Sequence, residues 1–236
     1  MKAKNIENLN AIINRINERN NNATAPKRFY LPFDQKDVTQ LVGVNYKAEV
    51  LRRIKQNDYK QLGSDMKQNI ADVAKWLCNP NKKPGMLFFG TVGTGKTTLL
   101  RAICETINSI CERDTDDRGK RETTLDDFNC ISLIKAKSIV NDYANPAMRP
   151  RYDLMSKVAL LAIDELGVEP VESKLFGNTS EPIVDMLCER YDRQLCTIIS
   201  TNLDDAEIKR RYGNRLADRF NEMFATIPFN GQSFRK

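Results

Sequence analysis

The chain has 236 residues and a formal net charge of +6, and 41% of its residues are hydrophobic. This length suits one large domain, or one domain with an extension, and the apolar content suffices for a buried core. The absence of histidine excludes Ser-His and Cys-His catalysis and histidine metal ligands. The six cysteines include no Cys-x-x-Cys pair, so we expect no zinc site, and we expect mostly buried thiols in a reducing, cytoplasmic setting. The sequence shows neither a membrane-spanning run nor a secretory signal.

Residues 1–61 are expected to form a small, mostly helical segment that docks on a partner. Apolar residues recur at helical spacing over residues 1–19, where a short amphipathic helix either packs on its own domain, a sister subunit or a partner, or is partly disordered. A linker at 20–26 and an aromatic docking segment at 29–33 follow. Residues 44–61 are expected to form a second helix.

Residues 62–236 are expected to form the nucleotide-binding domain, in which helices alternate with strands. Ser64 is expected to cap a helix that ends before Asn79. Residues 112–122 form a charged loop, and residues 148–152 are irregular and basic. Strands are expected at 86–89, 130–134, 158–163, 197–200 and 225–229, and helices from 98, at 136–143, at 182–191 and from 204. This alternation predicts a three-layer α/β fold around a central parallel sheet.

A phosphate-binding P-loop is predicted at residues 90–97, where the sequence reads Gly-Thr-Val-Gly-Thr-Gly-Lys-Thr. Its glycines let backbone N–H groups turn toward phosphates. Lys96 reaches the β- and γ-phosphates, and the Thr97 hydroxyl is placed for Mg²⁺. An apolar strand precedes the loop, and a helix follows with its positive end toward the phosphates. The predicted nucleotide-binding residues are Gly90, Gly93, Thr94, Gly95, Lys96, Thr97 and Thr98.

A second motif, the acidic pair Asp164-Glu165, directly follows the apolar run at 158–163. An apolar strand that delivers two acids about seventy residues after the P-loop is typical of a Walker B element. Asp164 would hold Mg²⁺, and Glu165 would orient or deprotonate the water that attacks the γ-phosphate. The alternative is a strand end with two solvent-facing acids.

Polar and basic residues follow the strand at 197–200. Asn202 is predicted to be a sensor that hydrogen-bonds the γ-phosphate or the attacking water; the alternative is a turn-forming asparagine. Arg211, Arg215 and Arg219 recur every four residues and are predicted to share one helix face. Such a row can act as an arginine finger on the ATP of a neighbouring subunit, or it can contact nucleic-acid phosphates. The alternative is a solvated face whose ion-pair partners are Glu207, Asp218 and Glu222.

With these motifs in order, the sequence resembles the AAA+ ATPases, and more closely the bacterial helicase-loader family typified by DnaC and DnaI, with the related transposition ATPase IstB. The resemblance covers roughly residues 64–236. It is strongest at 90–98 and 163–167, with support at 189–191, 200–203, 212–220 and 231–235. It implies an AAA+ fold without the C-terminal helical lid of larger members. Its catalytic residues would be Lys96, Glu165, Asn202 and Arg219, with Arg215 as the second finger candidate.

The resemblance implies an ATP- and Mg²⁺-dependent helicase loader of DNA replication that self-associates through a shared ATP site. Its partners would be a replicative helicase and single-stranded DNA, and the DNA-binding candidates are Lys135, Lys137, Arg149 and Arg151. Two alternatives stay open. One is an IstB-like ATPase that works with a transposase on double-stranded DNA. The other is a nucleotide-switched DNA-binding assembly module with incidental turnover. A P-loop kinase is a more distant fourth, because no acceptor site or lid is recognisable.

Overall fold

The structure is a computed structural model that describes residues 14–15, 28–52, 63–112, 130–175 and 178–230. Its main helices are α1 (Gln35–Leu51), α2 (Ser64–Cys78), α3 (Lys96–Glu112), α4 (Ala136–Ala144), α5 (Arg149–Met155), α6 (Pro182–Asp192) and α7 (Asp205–Met223). Its strands are β1 (Gly85–Gly90), β2 (Ser132–Lys135), β3 (Leu160–Leu166), β4 (Ser173–Leu175), β5 (Asn178–Ser180), β6 (Cys196–Thr201) and β7 (Phe224–Phe229). Most of the predicted N-terminal helix, nearly all of the charged loop and the segment at 231–235 lie outside the described residues.

A five-stranded parallel sheet in the order β2-β3-β6-β1-β7 forms the centre of the domain. This confirms the predicted α/β fold with a central parallel sheet. All five strands point the same way, so their carboxyl ends form one edge, which is where α/β proteins place ligands. Strands β4 and β5 form a separate antiparallel pair that the sequence did not predict.

Apolar side chains cover both faces of the sheet, because adjacent strand residues point to opposite sides. In β3, Ala162 packs in the core beneath α1, α2 and α3, whereas Leu161 and Ile163 pack in the core beneath α4 to α7. In β6, Ile198 and Ile199 divide in the same way. The continuous apolar runs predicted to be strands are therefore buried on both faces.

Within residues 28–52, apolar side chains of the N-terminal segment pack into the first of these cores. Phe29 and Leu31, from the predicted aromatic docking segment, are buried there, and Val42 of α1 lies beside them. Leu31 N also donates to Leu77 O at 2.8 Å. The division of the chain at residue 61 remains a prediction, but residues in the range 28–52 are buried against the domain that contains the parallel sheet.

Three local predictions differ from the structure. Ser64 is the first residue of α2 and makes no capping hydrogen bond; Gly63 precedes it as the N-cap. The helix predicted at 44–61 begins earlier, after Asp34, whose side chain accepts a hydrogen bond from Lys36 N. The segment predicted to be irregular at 148–152 forms α5, where Pro150 is tolerated because the first helical turn has no intrahelical partner for its missing N–H.

A buried arginine ties together the amino-terminal edge of the sheet. Arg190 of α6 is fully buried and donates to the Met155, Val158 and Cys196 carbonyl oxygens and to the Thr197 hydroxyl, at 2.7 to 2.9 Å. Burial lowers the pKa of Arg190 to about 10, so the guanidinium remains charged at neutral pH. The hydrogen bonds of this guanidinium connect the last turns of α6 to three other places: the end of α5, the start of β3 and the start of β6.

The expectation of mostly buried thiols is met only in part. Cys104 and Cys196 are buried free thiols, and burial raises the pKa of Cys104 to about 12, but Cys130 is exposed. In the part of the chain that the structure describes, no helix has both the length and the apolar character needed to cross a membrane.

Candidate nucleotide-binding site

The predicted P-loop connects the end of β1 to the start of α3, at the carboxyl edge of the sheet. Gly90 adopts φ +134°, and a Cβ atom there would lie 2.3 Å from the Phe229 carbonyl oxygen of β7. Only glycine fits this position, because both the backbone conformation and the close approach of β7 exclude a side chain. Helix α3 begins at Lys96, so its first free N–H groups lie within the motif.

The Lys96 ammonium contacts its own loop. Its Nζ atom donates to the carbonyl oxygens of Gly90 and Thr91, both at 2.7 Å. Burial lowers the pKa of Lys96, while the nearby Asp164 carboxylate raises it. The Thr94 hydroxyl donates to the same Thr91 carbonyl oxygen at 2.8 Å. These bonds hold the cation at the mouth of the loop, where an incoming phosphate competes with two carbonyl oxygens.

Asp164 lies at the end of β3 and accepts hydrogen bonds from two sides. The Thr97 hydroxyl donates to Asp164 Oδ1 at 2.9 Å, and the Ser200 hydroxyl of β6 donates to the same oxygen at 2.5 Å. The structure therefore brings together the two residues predicted to hold a metal. A hydroxyl and a carboxylate oxygen in contact fit Mg²⁺, which prefers oxygen donors and takes its remaining ligands from water and phosphate.

Glu165 has an unusual backbone conformation and forms an ion pair. Its φ of +59° is unusual for a residue with a side chain. Its carboxylate lies 2.9 Å from the Nζ atom of Lys135, at the end of the neighbouring strand β2. Lys135 was predicted to be a DNA-binding candidate, and its contact with the predicted catalytic base was not foreseen.

Asn202 follows β6, which lies between β1 and β3 in the sheet, so the strand before Asn202 neighbours both the strand before the P-loop and the strand of the acidic pair. The Asn202 side chain is exposed. The preceding Thr201 is buried; its hydroxyl donates to the Leu166 carbonyl oxygen at 2.7 Å and accepts from Leu203 N at 3.1 Å. These bonds fix the backbone on both sides of Asn202 and leave its amide facing solvent.

The predicted single arginine face on α7 is wrong, because the helix breaks at Gly213, which has φ +83° and ψ +165°. Arg211 lies before the break, whereas Arg215 and Arg219 lie after it. The Arg211 guanidinium donates to the Glu169 carbonyl oxygen, in the loop after β3. Arg211 and Arg219 pair with Glu169 and Asp192 on other elements, and not with the acids of the same helix that were predicted as partners.

Arg219 lies near the end of α7, which runs from the carboxyl end of β6 to the amino end of β7. It is therefore remote from the P-loop of its own chain. Its Nη2 atom lies 3.4 Å from Asp192 Oδ1, and its guanidinium lies 4.8 Å from the Tyr191 ring centre. Its side chain is only 18% exposed, and Nη1 has no hydrogen-bond partner among the residues that the structure describes. Arg215, in contrast, is exposed.

Most of the DNA-binding candidates are engaged in ion pairs. Arg151 lies 3.1 Å from Asp142, and Arg149 lies 3.3 Å from Asp153. The Arg149 guanidinium also lies 4.0 Å from the Tyr143 ring centre. Lys137 is exposed. A nucleic-acid phosphate must compete with carboxylates at several of these positions.

Sequence reasoning missed three residues that shape the site. Ser200 contacts both acids, and the buried carboxylate of Glu169 accepts from Gly167 N and from the Tyr212 hydroxyl. Asp192 contacts Arg219. Ser200 was part of a segment that supported the resemblance, but that pattern does not reveal which atoms its hydroxyl binds.

The chain is similar in sequence to a known helicase loader. No family model matches it. The replicative helicase loader DnaI of Bacillus subtilis (strain 168) is 22% identical over 182 residues, which cover 72% of this chain and 53% of that protein. The chain thus spans about half the length of this curated relative.

Two solved structures share the fold. The crystal structure of DnaI has a TM-score of 0.53 and 17% identity, and the match covers 77% of this chain and 93% of that one. A putative primosome component from Streptococcus pyogenes serotype M3 also has a TM-score of 0.53, with 19% identity, covering 78% and 90% of the two chains. The resemblance that the motifs indicated is confirmed in this form: the chain is distantly similar in sequence to the helicase loader DnaI and shares the fold of the DnaI structure.

Proposed function

We propose that this chain is a cytoplasmic accessory ATPase of DNA replication, a helicase loader that hydrolyses ATP at sites shared between neighbouring subunits. One observation carries the proposal. Lys96, Thr97 and Asp164 meet at the carboxyl edge of the sheet, whereas Arg219 lies at the other end of the domain. Each subunit thus presents a phosphate-binding edge and a remote arginine. The distant match to a replicative helicase loader supports this function.

ATP binding would begin with an exchange at Lys96. Its ammonium leaves the Gly90 and Thr91 carbonyl oxygens and binds the β- and γ-phosphates, while the N–H groups at the start of α3 face the phosphates. Thr97 and Asp164 would hold Mg²⁺, directly or through water. The metal, when bound, neutralises charge that develops on the phosphate oxygens.

Hydrolysis would require Glu165 to act on a water molecule. Its carboxylate is now paired with Lys135, so this ion pair must open before the carboxylate can orient the attacking water. Asn202, exposed at the end of β6, would hydrogen-bond the γ-phosphate or that water. These two side chains lie at the ends of neighbouring strands, β3 and β6, so both would approach the same reacting group.

The arginine would come from the adjacent subunit. Arg219 cannot serve its own P-loop, because α7 carries it to the opposite edge of the sheet. A finger of this kind stabilises the negative charge of the transition state and is worth about 10³ to 10⁵ in rate in favourable systems. Arg215, exposed one helical turn earlier, is the second candidate.

The first test is steady-state ATP turnover in an assembled sample. Lys96→Ala is expected to abolish ATP binding. Glu165→Gln is expected to keep binding but to lower turnover by about 10²-fold or more, the scale of general acid–base catalysis. Full turnover by Glu165→Gln would remove the catalytic assignment.

The second test concerns the partners. A pull-down with ATP, with and without single-stranded DNA, is expected to recover a replicative helicase. Recovery of a transposase would instead support the IstB-like alternative. DNA binding through Lys137 and Arg151 is expected to weaken steeply with salt, because it releases counterions.

The Lys135–Glu165 ion pair favours one second function, a nucleotide-switched assembly module in which turnover is incidental. In that case partner binding survives Glu165→Gln and a non-hydrolysable ATP analogue, but not Lys96→Ala. A helicase loader that needs hydrolysis loses its loading activity with all three. The same pull-down, followed by a loading assay, separates the two functions.

A further inference from the structure

The acidic pair lies on a β-bulge. The register between β3 and β6 shifts between Ile163 and Leu166, so that Asp164 and Glu165 together lie opposite one residue, Ser200. In a regular strand, two adjacent side chains point to opposite faces of the sheet. A bulge changes that direction beside functional sites. The extra residue therefore allows both carboxylates to serve the same edge.

The bulge carries a conformational cost at Glu165. With φ at +59°, this residue lies in the left-handed region, which is unfavourable for a side chain other than glycine. Its N–H is directed to a side chain, the Ser200 hydroxyl, at 3.0 Å. Contacts from the neighbouring strand must hold the residue in this conformation.

Ser200 is bonded to both members of the pair. Its hydroxyl accepts from Glu165 N and donates to Asp164 Oδ1 at 2.5 Å. A hydroxyl has one proton and two lone pairs, so the two bonds do not compete. Ser200 is only 2% exposed, and water has little access to replace either bond. One buried oxygen thus connects the backbone of the predicted base to the predicted metal ligand.

We propose that Ser200 is a positioning residue of the ATPase site, whose hydroxyl sets the geometry of Asp164 and Glu165 together. This inference rests on the proposed function, which assigns these two acids their roles. Ser200 acts through the acids: its hydrogen bonds go to Glu165 and Asp164, whereas those of Lys96 go to Gly90 and Thr91. Its loss therefore affects turnover far more than it affects nucleotide binding.

The test compares Ser200→Ala with Thr106→Val. Thr106 is a matched control, because its buried hydroxyl also donates one bond and accepts one, to Ala102 O and from Asn45, away from the acids. Turnover, KM for ATP and hydrogen exchange at the Glu165 amide are measured in assembled samples. Ser200→Ala is expected to lower kcat about 10- to 100-fold, as loss of such supporting bonds does elsewhere, with KM changed less than about 3-fold. The Glu165 amide is expected to exchange about tenfold faster or more. Thr106→Val is expected to change neither kcat nor that amide.

Three results would overturn the proposal: an unchanged kcat in Ser200→Ala, a loss of nucleotide binding as large as the loss of kcat, or an equal loss of kcat in Thr106→Val. If Ser200→Ala does not fold, Ser200→Cys takes its place with the same expectations, because its thiol is a weak hydrogen-bonding group. Glu165→Gln is assayed in parallel. Full turnover by that variant refutes the proposed function, whereas exchange at the Glu165 amide separately reports whether Ser200 holds the bulge.

Discussion

The carboxyl edge of the sheet and the far end of α7 hold the predicted catalytic residues in different ways. At the edge, Thr97 of α3 and Ser200 of β6 both donate to Asp164 of β3, and the register of the two neighbouring strands fixes Asp164 beside Ser200. At the end of α7, Arg219 contacts Tyr191 and Asp192 of its own subunit.

In the proposed function, a single chain positions its own metal-binding and phosphate-binding groups, whereas the arginine has to come from another subunit of the assembly. The metal-binding and phosphate-binding groups need no second subunit to reach their positions. Arg219 is largely covered, and it must leave Asp192 before it can reach another molecule. On the proposed function, changes in the first region are expected to affect ATP binding, and changes in the second are expected to affect turnover.

The largest expected effect comes from removing the arginine. In an assembled sample, Arg219→Ala is expected to lower turnover about 10³-fold without changing ATP affinity, because the finger contacts only the transition state of a neighbouring site. Steady-state turnover and fluorescent-nucleotide binding measure the two effects. Arg193→Ala is the matched control, because Arg193 pairs with Glu189 on the surface of α6. If Arg215→Ala shows the large loss instead, the finger is Arg215.

The stability of the amino-terminal edge of the sheet, near which Arg219 lies, is expected to depend on Arg190. Arg190→Met is expected to lower the free energy of unfolding by about 3 to 5 kcal/mol, because several buried acceptors lose their donor. Chemical denaturation measures this change. The exposed Arg193→Met is expected to stay within about 0.5 kcal/mol of the parent. A similar small change in Arg190→Met would mean that this cation does not hold the edge together.

A smaller effect is expected when Arg219 is released from its own subunit. Asp192→Asn removes the carboxylate and should raise turnover at low protein concentration by about 3- to 5-fold, the scale of an exposed ion pair. Turnover as a function of protein concentration measures it. Glu189→Gln removes a comparable acid from the same helix and should leave the curve unchanged. A fall in turnover would show that Asp192 holds Arg219 in its working position.

The smallest effect is expected at the carboxyl edge of the sheet, where Lys135 pairs with Glu165. Lys135→Met removes the cation that holds Glu165, and it should raise turnover without DNA by about 2- to 5-fold, because the pair is more than a third exposed on both sides. Lys137→Met is the control on the next element. Reduced turnover in Lys135→Met would indicate that Lys135 orients Glu165 for catalysis.

Much of the fold could be predicted because its signals are local. The P-loop is contiguous, and the strands are continuous apolar runs that follow from burial on both faces. The acidic pair and Asn202 come directly after such runs, so parallel strands bring them to one edge. These features need no knowledge of which helices pack together.

What could not be predicted depends on register and tertiary packing. The bulge opposite Ser200 requires the pairing of β3 with β6. Asp192 reaches Arg219 only because α6 packs beside α7. The helical pattern of α5 was concealed by two prolines, of which Pro150 lies where a helix accepts it. Gly213 was visible in the sequence, but helical spacing alone does not show that it interrupts α7.

The break in α7 also determines which residues position 213 can accept. No atom lies within 4 Å of where a Cβ would be, so the space around Gly213 is open to larger side chains. Its backbone, with φ +83° and ψ +165°, nevertheless lies in a region that is essentially restricted to glycine. In a saturation library, this exposed surface position would therefore be among the least tolerant on α7, although substitution removes no contact.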